Sequence, residues 1–144
     1  MPPNPSISAA LKVFLVEDSI LIRRHLATLI ATIDDARVVG ESEDASTALN
    51  GIAATEADVA VVDLHLAHST GMDVLTALAQ RGRPIITIVL TNHSTAAVRE
   101  ACLSVGARYF FDKTREFRLA LDTIGGIARD RRAGVTRPDG WDHV

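Results

Sequence analysis

Asp63 has the strongest claim to chemistry in this chain, because of the residues around it. In the stretch ADVAVVDLHL, residues 57–66, it is the one polar side chain between Val59 and Leu64, and it stands at the carboxyl end of the apolar run. Glu17 and Asp18 follow the apolar run Leu11–Val16 (LKVFLV) in the same way. Thr91 closes IITIVL, and Lys113 stands one residue beyond Asp112 after ARYFF. Three carboxylates brought together repel, which raises the pKa of at least one of them. A hard divalent cation resolves that repulsion, and carboxylate oxygens suit Mg²⁺, with Mn²⁺ as the substitute. Such an ion would draw a phosphoryl group to Asp63, and aspartate is a known covalent acceptor, forming an aspartyl phosphate. Lys113 adds a compact ammonium suited to a phosphate oxygen or to Asp63 itself. Thr91 adds a hydroxyl donor. Only two lysines stand against thirteen arginines, so a lysine at 113 marks a place that needs a point charge. Singly, each residue has a plainer reading: Asp63 as a turn cap, Lys113 as a surface charge. Their recurrence at the ends of apolar runs is what marks a site.

Those runs must be strands. Val59–Leu64 is too short and too rich in Val for a helix, and an unbroken apolar run of this length fits a strand buried on both faces. The other expected strands are Leu11–Val16, Ala36–Ser42, Ile85–Leu90 and Ala107–Phe111. Between them, apolar residues recur at helical spacing. The expected helices are Ile20–Ile33 after an N-cap at Ser19, a second from a cap at Asp44 or Ser46 to about Thr55, then Met72–Arg81, Ser94–Val105 and Glu116 to Arg131. Ala67–Gly71 reads as a loop, and Gly125-Gly126 weaken the last helix by roughly 1 kcal/mol each relative to Ala. Strict strand–helix alternation implies α/β architecture: a doubly wound, five-stranded parallel sheet of order 2-1-3-4-5, the flavodoxin-like (βα)5 arrangement. In that order the ends of the first, third, fourth and fifth strands share one edge, where ligand sites of open α/β sheets lie.

The composition, 47% hydrophobic and 23% charged over 144 residues, is that of one globular domain. A net charge of -3 argues against direct nucleic-acid binding, and the Arg129–Arg132 cluster reads as a solvated helix end. Cys102 is the single cysteine, so no intrachain disulfide is available and it is expected in the core. No apolar run approaches the ~20 residues of a membrane span, and MPPNPSIS lacks the pattern of a secretion signal, so a cytoplasmic location without membrane insertion is expected. The expected organisation is a leader over residues 1–10, one domain over 11–131, and a polar tail over 132–144.

The pieces VFLVEDS, VVDLHLAHSTGMDVL, IVLT and GARYFFDKT, in this order, resemble the CheY-like receiver domain of two-component response regulators over about residues 11–130. The resemblance implies that Asp63 is the phosphoacceptor. It makes Asp18 a Mg²⁺ ligand, Glu17 a residue acting on the metal through water, and the His65 backbone carbonyl a further ligand. Thr91 and Lys113 would be the phosphate-sensing pair, and Phe110, three residues before the lysine, the switch aromatic. His65 and His93 would flank the phosphoryl group and tune its lifetime. Three residues depart from the family pattern: Ala67 and Thr114 stand where proline is usual, and Asn92 where a small Ala or Ser is favoured. The implied partners are a sensor histidine kinase or phosphotransfer protein and a downstream protein target, with a phosphorylation-dependent homodimer admitted. With 13 residues after the last expected helix and no DNA-binding module among them, the expectation is a stand-alone switch rather than a turnover enzyme.

Rival readings make distinct demands. An aspartate-nucleophile phosphohydrolase needs an acid two residues after the nucleophile, where this chain has His65. A flavin-nucleotide binder needs a phosphate loop after the first strand, where Glu17-Asp18-Ser19-Ile20 would repel phosphate. A pseudo-receiver that binds partners without phosphorylation has no use for an intact acid set. A zinc site built from His65, His68 and His93 suits the surrounding carboxylates and lysine less well than Mg²⁺ does.

Overall fold

The computed structural model describes residues 10–134. The expected leader over residues 1–10 and the expected tail therefore lie almost entirely outside the described residues. In chain order, β1 (Leu11–Val16) leads to α1 (Ile20–Ile30), and β2 (Ala36–Ser42) to α2 (Ala45–Thr55). β3 (Val59–Val62) passes through two short strands, β4 (His65–Leu66) and β5 (Ser69–Thr70), into α3 (Gly71–Ala79). β6 (Ile86–Thr91) leads to α4 (Ala96–Ser104), and β7 (Tyr109–Asp112) to α5 (Phe117–Arg132). Five of the strands form one sheet in the order β2-β1-β3-β6-β7, with every pairing parallel. This is the expected 2-1-3-4-5 order once the small hairpin is set aside.

The apolar runs are explained by burial on both faces of that sheet. Residues of alternate parity face opposite ways. Leu11, Val13 and Leu15 pack with Val59, Val61, Ile88 and Leu90 against Leu26 and Ile30 of α1 and Ala120 and Ile124 of α5. Phe14, Val16, Ala60 and Val62 pack on the other face with Ala48 and Ile52 of α2 and Val74 and Leu78 of α3. Val89 and Phe110 continue that face against Leu75 of α3 and Cys102 of α4. Cys102 is fully buried, as expected. The ring of Phe14 fits only because Gly40 and Gly51 lie against it: a Cβ at either position would stand 2.5 Å from the ring.

Caps account for most of the boundaries. Ser19 Oγ accepts from the Ile22 N–H, and Asp44, rather than Ser46, accepts from the Thr47 N–H. α1 was expected to reach Ile33 but stops at Ile30, and the chain turns through Asp35 at φ 64° so that its carbonyl accepts from the Leu11 N–H at 2.7 Å. α4 begins at Ala96 rather than Ser94, because Thr95 caps it and the Ser94 hydroxyl binds Asp112 instead. The expected loop Ala67–Gly71 contains half of the antiparallel hairpin that pairs His65 with Thr70 and Leu66 with Ser69. Strands of two residues are too short to show any alternation in sequence. Thr70 then closes a capping box with Asp73 at the start of α3. Among the described residues no helix is long and apolar enough to cross a membrane.

Candidate functional site

Parallel register brings the strand ends together. Val16 pairs with Val62, Val62 with Val89, and Thr91 with Asp112. The ladder continues one step beyond the strands: the Asp63 N–H donates to the Val16 carbonyl at 2.9 Å and the Lys113 N–H to the Thr91 carbonyl at 2.8 Å. Glu17, Asp63, Thr91 and Lys113 are thereby fixed by backbone hydrogen bonds at one edge of the sheet.

Lys113 Nζ lies 2.6 Å from Glu17 Oε1 and 2.7 Å from Asp63 Oδ2. Carboxylate oxygens of Glu17, Asp18 and Asp63 all lie within 4.8 Å of one another. Glu17, Asp63 and Thr91 are buried, and Asp18 is half-buried. Burial pushes the Glu17 carboxyl up, and the neighbouring Asp63 charge adds to the rise. The Lys113 and Ser19 hydrogen bonds oppose it without cancelling it. For Lys113, burial works to lower the pKa, but its hydrogen bonds and attraction to Asp63 and Glu17 outweigh this and hold it above the ordinary lysine value. Lys113 is therefore a charged ammonium shared by two carboxylates, in a cluster whose acids outnumber it three to one.

The donor set fits a hard divalent cation: three carboxylates on one edge, short of positive charge, one of them half-exposed toward solvent. Among the described residues this is the one cluster of three or more His, Cys, Asp or Glu that could hold a metal ion. The three histidines do not form a zinc site. The exposed rings of His65 and His93 lie 5.9 Å apart at a tilt of 48°, but His68 sits at the hairpin turn with φ 55° and belongs to no metal-capable cluster among the described residues. The His65 N–H points to Asp63 Oδ1 at 3.4 Å, and the His93 N–H donates to Thr91 Oγ1 at 3.2 Å. Phe110 is buried between β7 and α4, in contact distance of the Val89 and Cys102 cluster.

Three supporting residues escaped the sequence reading. Arg23 of α1 donates to the Glu17 carbonyl at 2.7 Å and so holds the acid turn. By sequence, Gly71 is only the end of the expected loop Ala67–Gly71. In the structure a Cβ there would lie 2.3 Å from the Asp63 carbonyl oxygen and 2.8 Å from Leu64 Cα, so nothing larger fits behind the site. Asp112 binds Ser94 through Oδ2 and accepts from the Thr114 and Arg115 N–H groups through Oδ1. Nothing local in the sequence separates these three from ordinary turn and helix residues.

The sequence pattern of the response regulator receiver domain matches residues 13–124. The chain belongs to this family. Among curated relatives, this receiver is 30% identical over 132 residues to a protein-glutamate methylesterase/protein-glutamine glutaminase of Koribacter versatilis, covering 88% of this chain and 36% of that one. It is 31% identical over 110 residues to the DNA-binding transcriptional activator DevR/DosR of Mycobacterium tuberculosis, covering 76% of this chain and 51% of the relative. The chain thus spans between a third and about half of the length of these two relatives. In fold, it matches the response regulator domain of Thermotoga maritima CheB with a TM-score of 0.74 at 23% identity, covering 86% of this chain and 97% of that domain.

Proposed function

We propose that this receiver is a phosphoryl-accepting switch in which Asp63 takes a phosphoryl group from a sensor histidine kinase or a phosphotransfer protein. The observation that carries this reading is the gathering of Asp63 with Glu17 and Asp18 within 4.8 Å, and with Lys113 bonded to Asp63 and Glu17 at once. Asp18, Asp63, the His65 carbonyl and, through water, Glu17 would hold Mg²⁺ or Mn²⁺. When bound, the ion supplies the positive charge that three carboxylates and an incoming phosphoryl group require.

In the transfer, an Asp63 carboxylate oxygen attacks phosphorus and a P–O bond forms. The P–N bond of the donor phosphohistidine breaks, its electron pair returns to the imidazole nitrogen, and solvent supplies the proton. The product on Asp63 is an acyl phosphate. Lys113 then has phosphoryl oxygens to pair with in addition to Glu17. Thr91 accepts from the His93 N–H and still has its own hydroxyl proton to donate to a phosphoryl oxygen. The added charge biases the face formed by α4, β7 and α5, where Phe110 sits between sheet and helix, and a protein target reads that face. A homodimer through the same face is one form such a target takes. Hydrolysis of the acyl phosphate resets the switch, so the cycle signals rather than turning over a substrate.

The test is labelling by a small phosphodonor such as phosphoramidate. Wild type should take up one phosphoryl group in a Mg²⁺-dependent manner, and Asp63→Asn should take up none. Label that persists in Asp63→Asn would place the acceptor elsewhere.

A further inference from the structure

Two of the residues that depart from the family pattern are bonded to each other. Thr114 Oγ1 donates to Asn92 Oδ1 at 3.0 Å, across 22 positions of sequence. Asn92 directly follows Thr91, and Thr114 directly follows Lys113. A second tie lies beside the first: the Ser94 hydroxyl binds Asp112 Oδ2. Asp112 in turn accepts from the N–H groups of Thr114 at 2.9 Å and Arg115 at 2.8 Å, which fixes the turn that carries Thr114. The Ser94 hydrogen bond, followed by the one from Arg115, holds the Asp112 carboxyl below its ordinary range, so it remains an anionic acceptor. Thr91 and Lys113 are thus each flanked by a residue that grips the opposite segment.

We propose that Asn92–Thr114, backed by Ser94–Asp112, is a clasp joining the β6–α4 and β7–α5 segments, and that it sets the rate at which Asp63 is phosphorylated. The proposal rests on the reading of Asp63 as the acceptor. Asn92 and Thr114 are positioning residues, since they act through Thr91 and Lys113. At rest, Thr91 holds the His93 N–H while Lys113 bridges Glu17 and Asp63. Serving a phosphoryl group requires both to turn toward new oxygens. The clasp resists relative movement of the segments that carry them, and it keeps the Asn92 carboxamide pinned beside the site. Both partners are exposed, so the bond competes with water and lies at the low end of the range for a hydrogen bond.

The experiment is a cycle over wild type, Asn92→Ala, Thr114→Val and the double variant, with Thr114→Ser as the conservative control. The readouts are the rate of Mg²⁺-dependent labelling by phosphoramidate and amide hydrogen exchange at residues 92–95. Thr114→Val should raise the labelling rate about two- to fivefold, the range of one exposed hydrogen bond, and should speed exchange at residues 92–95. It should change neither quantity in the Asn92→Ala background, and Thr114→Ser should match wild type, which a purely steric or structural role would not produce. An equal effect of Thr114→Val in both backgrounds, no effect in either, or a Thr114→Ser that behaves like valine overturns the clasp. Label appearing in Asp63→Asn overturns the acceptor assignment instead, and the exchange cycle then still reports whether the clasp exists.

Discussion

Replacing Asp63 by asparagine should make the metal-free protein more stable. Asp63→Asn removes one charge from the cluster and keeps the shape of the side chain. At an effective dielectric of about 20, the 2.7 Å contact with Lys113 gives an attraction of about 6 kcal/mol. On the same basis, Glu17 and Asp18, each with an oxygen within 4.8 Å, give repulsions of at least about 3.5 kcal/mol apiece. The two repulsions together offset the attraction, so the sign is decided by desolvation. The Asp63 side chain is only 7% exposed, and a buried carboxylate carries a penalty that a neutral amide largely escapes. Neutral replacement of a whole buried ion pair is often stabilising by about 1–4 kcal/mol, whereas removing one partner costs stability when it strands the other charge. Lys113 is not stranded, because it keeps Glu17, so the expected gain is about 1–2 kcal/mol. With a urea m-value of about 2 kcal/mol/M, the midpoint in the presence of chelator at pH 7.5 should rise by about 0.5–1 M. Adding Mg²⁺ should reverse the advantage, because the wild type binds the ion more tightly and gains more by mass action. An Asp63→Asn variant that is less stable than wild type by 1 kcal/mol or more in chelator would refute the balance of terms, as would equal stabilisation of both proteins by Mg²⁺.

Further outcomes follow from the same cluster. With its pKa raised in the fold, Glu17 binds protons more readily in the native state than in the unfolded chain, between its ordinary value of 4.5 and the raised value. Stability in chelator should therefore fall as pH rises through that window, and urea midpoints should show a flatter profile in Glu17→Gln. Lys113, also raised, contributes stability that is complete below 10.5 and is lost above it as pH passes its folded pKa. Gly71→Ala should cost about 1–3 kcal/mol in urea unfolding and slow labelling, because the added carbon meets the backbone of Asp63 and Leu64. His65→Ala and His93→Ala should each change the lifetime of the phosphorylated form in a decay assay, because their rings lie 5.9 Å apart and their backbone N–H groups reach Asp63 and Thr91. Unchanged decay in both would remove these side chains from the reset step.

Much of this molecule is local in origin, and that part was legible in sequence. A β-branched run buried on both faces has no polar partner to alternate with, so Val59–Val62 announces a parallel strand without reference to the rest of the chain. The side chain at the end of such a run stands at the sheet edge, and Glu17, Asp63, Thr91 and Lys113 lie at that edge. Ser19 and Asp44 cap within three residues of themselves, and that too is sequence-readable. The rest depends on atoms brought close across long stretches of chain. Lys113 meets Glu17 over 96 positions and Asp63 over 50, and only the folded sheet decides that one ammonium serves both. Asn92 and Thr114 looked like separate departures until the fold bonded them, and His68, one of three loop histidines by sequence, stands at the hairpin turn outside the His65–His93 pair. Gly71 looked like punctuation, and tertiary packing made it the floor beneath Asp63. Periodicity reports which side of an element is apolar, whereas distances between side chains on different elements exist only after packing has set register and crossing.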